Sequence, residues 1–359
     1  MTRSLSLFLA LSLGLRTYPL QAEIRTSGPV PNRAAFIATE TLSPTLLQRF
    51  QTSFQTKTSA LILRKVSGGV LDYEMMDKIY LELGNDAADI LKMYNAEYLT
   101  QGSFGRILRG RHPENKGSVL IKVTVSSDRG KTHFDNEVRV LRSFKDSLFA
   151  ASQKEYPFPK LQETYKNRML ITDFFEGQTL GSYLWRKAKP GNVFSMTERL
   201  EIMLGILDAV AFQHALGWAH LDLSRVNILL REEAGHFFIR LTDFGSAHRF
   251  GGWIESPAFT RPYAAPELQN LDFLKAVPAI DIYALGVILY EVMTQSFKLS
   301  RNRIIADISM ILRPFHKILA ENQTLDIRIR DVIRKATQIN DRARFPSVSA
   351  MRTALQQAV

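Results

Sequence analysis

The densest run of chemistry-bearing residues in this chain is His220-Leu221-Asp222-Leu223-Ser224-Arg225-Val226-Asn227-Ile228-Leu229-Leu230, followed by Leu241-Thr242-Asp243-Phe244-Gly245. Two carboxylates and an amide beside β-like apolar runs offer hard oxygen donors. That donor set suits a divalent cation such as Mg²⁺, which prefers carboxylate and amide oxygens together with phosphates, and it leaves one carboxylate over as a base. An Asp-Phe-Gly triplet is common by itself. Sixteen residues after Asn227, it reads as part of the same site.

Toward the N-terminus, Leu99-Thr100-Gln101-Gly102-Ser103-Phe104-Gly105-Arg106-Ile107 lies between two strand-like runs. Glycine is needed where backbone N–H groups approach phosphate oxygens closely, although an ordinary glycine-containing hairpin fits these residues equally well. Ser118-Val119-Leu120-Ile121-Lys122-Val123 is a β-like run with one internal lysine, either a phosphate ligand held by a carboxylate or a solvent-facing strand residue. Fifteen residues on, His133 to Leu141 reads as a helix with Phe134, Val138 and Leu141 on one face and Glu137 available to Lys122. Toward the C-terminus, Thr260-Arg261-Pro262-Tyr263-Ala264-Ala265-Pro266-Glu267 precedes an apolar helix headed by Asp281, and Arg344 follows near the end.

The chain has 359 residues, 46 Lys+Arg against 35 Asp+Glu, a net charge of +11 and no cysteine. That length supports one large or two ordinary domains. The absence of cysteine excludes a disulfide scaffold, a thiolate nucleophile and a Cys-ligated metal. The basic balance favours anionic partners or a solvated basic surface. No aromatic-basic interleaving or helix-turn-helix pattern points to specific nucleic-acid binding. At the N-terminus, Arg3, the apolar run Leu5–Leu15 and a polar stretch ending at Ala22 have the layout of a secretory signal peptide, with Leu20 larger than the usual residue at −3. No other stretch is long and apolar enough for a membrane span. Residues 23 to about 42 read as a linker. Ser43-Pro44 opens one helix, and Asp72 caps a second helical stretch containing Tyr73, Met76, Tyr80, Leu83 and Ile90. From about Tyr94 the pattern turns to β-rich runs, and after Leu180 to mostly helical ones.

Taken together, residues 94–359 resemble the eukaryotic-type protein kinases. The resemblance implies an α+β bilobal fold, with a small β-rich N-lobe (94–176) and a larger helical C-lobe (177–359); ahead of it, residues 1–22 read as signal peptide and 23–93 as linker and helical N-terminal extension. It implies transfer of the γ-phosphoryl of ATP, with Mg²⁺, to a Ser/Thr hydroxyl of a protein substrate. Gly102 and Gly105 fall on the phosphate-covering loop, Lys122 on the phosphate-orienting lysine and Glu137 on its helix-borne partner. Asp222 falls on the catalytic-loop base, and Asn227 and Asp243 on the metal ligands. Ile107, Leu120 and Leu229 would line the adenine slot, with Thr172 as gatekeeper and backbone groups at Phe174 and Phe175 reading the ring edge. Glu267 is expected to pair with Arg344.

The departures carry expectations too. Thr100 replaces a loop glycine, and Leu120 stands for an alanine and narrows the slot. Leu221 replaces the arginine that pairs with a phosphorylated activation segment, so activity is expected not to need phosphorylation between Asp243 and Glu267. Ser224 stands for a lysine, for which Arg225 is a substitute cation or merely a solvent-facing residue. These features leave two alternatives: a pseudokinase scaffold of the same fold, or a small-molecule kinase. Thr260 with Tyr263 resembles the serine/threonine pattern. The leader-like N-terminus implies an exported protein, a cytoplasmic one being the alternative. The extension either biases the Glu137 helix or simply stabilises the small lobe.

Overall fold

The computed structural model describes residues 76, 78–79, 85–102, 105–124, 127–146, 156–254, 258–269, 274–295 and 315–359. The leader-like segment, the linker, the Ser43-Pro44 helix start, the Asp72 cap and loop residues Ser103 and Phe104 lie outside them.

Helix α1 (Asn85–Met93) is followed by strands β1 (Glu97–Gln101), β2 (Gly105–Arg111) and β3 (Ser118–Thr124), helix α2 (Asp128–Lys145), and strands β4 (Leu161–Tyr165) and β5 (Met169–Asp173). The five strands form an antiparallel sheet in the order β1-β2-β3-β5-β4. Strand side chains alternate between faces, and β3 shows what each face is for. Val119, Ile121 and Val123 are buried with Leu108 of β2 and Met169 and Ile171 of β5, whereas Leu120 and Lys122 face the other way. The first group is covered by Met76, Ile79, Ala87, Leu91 and Tyr94. The described residues Met76, Ile79, Ala87 and Leu91 of the extension are thus part of the small lobe's core, packed on the sheet face opposite Lys122.

Ser127 caps α2 by accepting from the Gly130 N–H. The helix runs further in both directions than the expected 133–141, because Phe144 continues the apolar face into contact with Phe158 (4.5 Å) and Phe244 (5.2 Å).

The larger half comprises β6 (Gln178–Thr179), α3 (Leu180–Lys187), α4 (Met196–Ala215), β7 (Trp218–Ala219), β8 (Ile228–Glu233), β9 (His236–Leu241), β10 (His248–Arg249), α5 (Pro266–Gln269), α6 (Pro278–Thr294), α7 (Phe315–Glu321), α8 (Ile327–Ala336) and α9 (Val348–Gln357). Its short strands pair as β6-β8-β9 and β7-β10. Helix α6 is apolar around its whole circumference and buried along nearly its entire length, as a helix at the centre of a lobe must be. It starts at Pro278, so Asp281 sits in its first turn instead of heading it. Gly286 allows close packing on α8, since a Cβ there would come within 2.6 Å of Thr337 and 2.9 Å of Ala336. The two acids buried on α6, Asp281 and Glu291, both reach out to loops that carry the site. Among the described residues no helix is long and apolar enough to cross a membrane.

Candidate active site

The sheet face bearing Lys122 meets α2 and the Asp-Phe-Gly turn. Lys122 Nζ donates to Glu137 Oε2 at 2.6 Å and to Asp243 Oδ1, 121 positions away, at 2.7 Å, so two carboxylates share one ammonium. Burial disfavours the charge on Lys122, but Asp243 and Glu137 outweigh it and hold the pKa above the ordinary lysine value. Asp243 is likewise opposed by burial, yet Lys122, with His133, draws its pKa down to about 2. Glu137 is raised, because it is wholly buried and lies beside the negative charge of Asp243. His133 is pushed down to about 4, first by burial and then by Lys122 against the pull of Asp243, so its ring is neutral.

Asp222 and Asn227 come together on the loop between β7 and β8. Asn227 Nδ2 donates to the Asp222 carbonyl (2.9 Å) and to Asp222 Oδ2 (3.2 Å), while Asp222 Oδ1 accepts from the Thr260 N–H at 2.8 Å. The Asn227 carbonyl in turn accepts from the Thr242 N–H at 2.9 Å, fastening this loop to the residue before Asp243. Beneath the loop, Asp281 accepts from His214 Nε2 (2.8 Å) and from the backbone N–H groups of His220 (2.8 Å) and Leu221 (2.9 Å). Those bonds hold Leu221 at φ +65°, a left-handed conformation that costs a branched residue roughly 1–2 kcal/mol. Leu221 is buried there, and no guanidinium projects from this position.

Ile107, Leu120 and Lys122 share one face of the sheet: Ile107 lies opposite Lys122, and Leu120 is flanked by Arg109 and Thr172. Leu229 stands on β8 opposite Thr179, in the other lobe just past the connector. Gly105 has no room for a side chain, because a Cβ would lie 2.6 Å from the Val123 carbonyl oxygen; Gly102 is open and donates its N–H to the Gly105 carbonyl. In the connector, the Phe174 N–H is bonded to the Ser118 carbonyl and the Phe175 carbonyl accepts from Gly177. Both rings are held by cations, Phe174 under Arg109 (4.4 Å) and Phe175 between Arg240 (4.8 Å) and Arg231 (5.3 Å). Arg109 also pairs with Glu176, and Arg240 with Asp173.

Arg344 makes a fork with both oxygens of Glu267 (2.6 and 2.8 Å), as expected. Arg225 is neither solvent-facing nor a substitute for the missing lysine. Its stem lies on Gly181, and its guanidinium bonds Glu291 at 2.7 Å, the carboxylate that also accepts from the Tyr263 hydroxyl at 2.8 Å. Ser224 is fully buried. Sequence reading did not single out His133 or Asn136 for a role at the site. The His133 ring occupies the space a side chain on Gly245 would need, and Asn136 Nδ2 donates to the carbonyls of Gly245 and Ala247, both at 2.8 Å. Asn136 stood next to Glu137 in the helix reading, but nothing local tied it to a turn 109 residues later.

Two lobes, a strand lysine clasped by a helical glutamate and an Asp-Phe-Gly aspartate, and a separate Asp/Asn loop tied to the same turn define a protein kinase. Residues 94–356 match the protein kinase domain family, and the chain belongs to it. Its relatives include myosin light chain kinase A of Dictyostelium discoideum, 26% identical over 208 residues, covering 56% of this chain and 66% of the relative. Serine/threonine-protein kinase H1 of Mus musculus is 26% identical over 258 residues, covering 70% and 58%, and MAP kinase-activated protein kinase 2 of Drosophila melanogaster is 28% identical over 200 residues, covering 54% and 52%. The chain thus spans between about half and two thirds of these relatives' length.

Proposed function

We propose that this protein transfers the γ-phosphoryl group of ATP, with Mg²⁺, to Ser or Thr hydroxyls of protein substrates. The observation that carries the proposal is the convergence of Lys122 on both Glu137 and Asp243, with Asp222 and Asn227 fastened to the adjoining Thr242. In phosphoryl transfer, negative charge spreads over the phosphoryl oxygens, so positioning and charge stabilisation dominate. Lys122, stripped of most of its water and aimed by two carboxylates, orients phosphate oxygens. Asp222, its rotamer fixed by Thr260 and Asn227, aligns the acceptor hydroxyl and takes its proton.

The donor chemistry fits a hard divalent cation. Asp243 retains exposed carboxylate surface, and because Asn227 points its amide nitrogen at Asp222, its amide oxygen is turned the other way. These two residues would hold the ion, which would supply positive charge against the phosphate oxygens. Thr260 and Tyr263 ahead of Ala265-Pro266-Glu267, and the serine/threonine kinases among the relatives, support a Ser/Thr acceptor.

The test is incubation with Mg²⁺, γ-labelled ATP and generic protein acceptors beside Asp222→Ala. Label on Ser and Thr, reduced about 10²- to 10⁴-fold in the variant, is expected; equal labelling by both proteins overturns the proposal, and label confined to Tyr overturns its acceptor class. With Leu221 buried in place of an arginine, transfer is independent of phosphorylation in the activation segment. Phosphatase treatment should leave the rate unchanged, and a collapse tracking dephosphorylation of Thr260, or of Ser256 outside the described residues, refutes this. The arginine and apolar run at the N-terminus further support export. N-terminal sequencing of the mature protein tests it, an intact Met1 on cytosolic protein being the contrary result.

A further inference from the structure

We propose that Asn136 is a positioning residue for Asp243, locking the turn that aims the metal-binding carboxylate onto the helix that carries Glu137. The inference rests on the phosphotransfer reading above and extends it to a residue outside the phosphate-contacting set.

Asp243 has φ +66° and ψ 64°, a left-handed conformation, and the chain then makes a single 3₁₀ turn through Phe244–Ser246. One local bond, Ala247 N–H to the Phe244 carbonyl at 3.0 Å, closes that turn, so its placement depends on what lies beside it. Helix α2 supplies the neighbours. Asn136 Nδ2 donates to carbonyls two residues apart, Gly245 and Ala247, each at 2.8 Å, while the next residue, Glu137, shares the Lys122 ammonium with Asp243. A short amide with both donors on one nitrogen is well suited to that span.

The other end of the amide is fixed as well. Asn136 Oδ1 accepts from Arg139 Nη2, and the Arg139 guanidinium lies over the Trp218 ring at 5.6 Å, in the large lobe. There is no slack in the fit, because a Cβ on Gly245 would stand 1.8 Å from the His133 ring. The consecutive residues Asn136 and Glu137 therefore hold the turn through two of its carbonyls and through the shared Lys122 ammonium, and any rotation of α2 that moves Glu137 off Lys122 also pulls on the turn bearing Asp243.

The test uses the full chain with Asn136→Ala, Asn136→Asp and Arg139→Met. Mg²⁺ is titrated against binding of a fluorescent ATP analogue and, separately, against phosphotransfer. Loss of two neutral hydrogen bonds from the metal-competent arrangement should raise the half-saturating Mg²⁺ about tenfold in N136A. N136D should do worse, because a carboxylate then faces two carbonyl oxygens. R139M should shift it in the same direction by less. Backbone hydrogen exchange at residues 243–248 should accelerate in N136A while the melting temperature stays within a few degrees. A half-saturating Mg²⁺ within twofold of the parent in N136A and N136D, or a loss independent of Mg²⁺ that follows global stability, overturns the proposal. If N136A does not fold, N136D and R139M decide it. If the parent binds Mg²⁺-nucleotide but transfers nothing, the phosphotransfer reading fails and the binding titration still decides the role of Asn136.

Discussion

Replacing Lys122 with Met tests how the centre of the site is balanced. The ammonium lies 2.6 Å from Glu137 and 2.7 Å from Asp243, and carboxylate oxygens of those two acids lie within 4.8 Å of one another. Without the lysine, two negative charges at about that separation repel by roughly 3 kcal/mol at an effective dielectric of 20. Glu137 is wholly buried and Asp243 about a third exposed, so the proton that relieves the repulsion goes to Glu137, whose pKa is already raised by burial. Removing the cation raises it further. A folded-state pKa above the unfolded value gives stability that is full below the unfolded pKa and lost as pH rises through the folded one. K122M should therefore melt roughly 5–10 °C below the parent at pH 8, and by less than half that deficit at pH 5. Thermal unfolding of parent, K122M and K122M/E137Q at both pH values is the assay. The double variant has no charge to relieve and should be insensitive over this range. An equal deficit for K122M at pH 5 and pH 8 would refute the reasoning.

Arg344→Lys should cost about 2–4 kcal/mol although it preserves charge, because Arg344 serves both oxygens of Glu267 and the carbonyls of Gln338 and Ala279 as a planar fork that an ammonium cannot reproduce. Chemical denaturation checks it, and a loss below about 0.5 kcal/mol contradicts the pairing. Asp281 is opposed by burial but held below the ordinary carboxylate value by His214 and His220, so it adds stability above that ordinary value that is lost as pH falls through the lowered one. Asp281→Asn should flatten this acid limb in a pH series of melting temperatures; an unchanged limb argues against it. Deleting residues 1–93 should leave Leu108, Val119, Ile121, Val123, Met169 and Ile171 uncovered and yield protein that aggregates or binds hydrophobic dye, whereas a soluble monomer of parental stability would contradict the packing.

The motifs were legible because each is a short, ordered set of residue types whose chemistry makes sense only together. The apolar face Phe134, Val138 and Leu141 likewise announced α2 by its spacing. What the sequence could not show were pairings decided by distant chain. Arg225 read as a substitute cation or a solvent-facing residue until Glu291, 66 residues on, arrived from the central helix. The extension's apolar residues displayed helical spacing but not their target, which for the described Met76, Ile79, Ala87 and Leu91 is the back of the sheet. Leu221 read as a lost arginine, yet its left-handed backbone and burial are set by Asp281, 60 residues later.

Those departures bear on whether the fold works as a catalyst or only as a scaffold. A scaffold has no need to keep charge buried where only a substrate would use it, since a buried ion pair is often no more stabilising than an apolar replacement. Here Lys122 is held by two acids, and Asp222 is oriented by Thr260 and Asn227. The substitutions fall outside that set. Ser224 and Leu221 are buried side chains on the catalytic loop, and Arg225 is spent on Glu291, joining that loop to the segment carrying Tyr263. On the proposed function, the loop has therefore exchanged family cations for internal packing while retaining Asp222 and Asn227. If that is correct, Arg225→Ala should loosen the acceptor side and raise KM for protein substrate more than KM for ATP. An equal rise in both would place Arg225 in the general stability of the lobe.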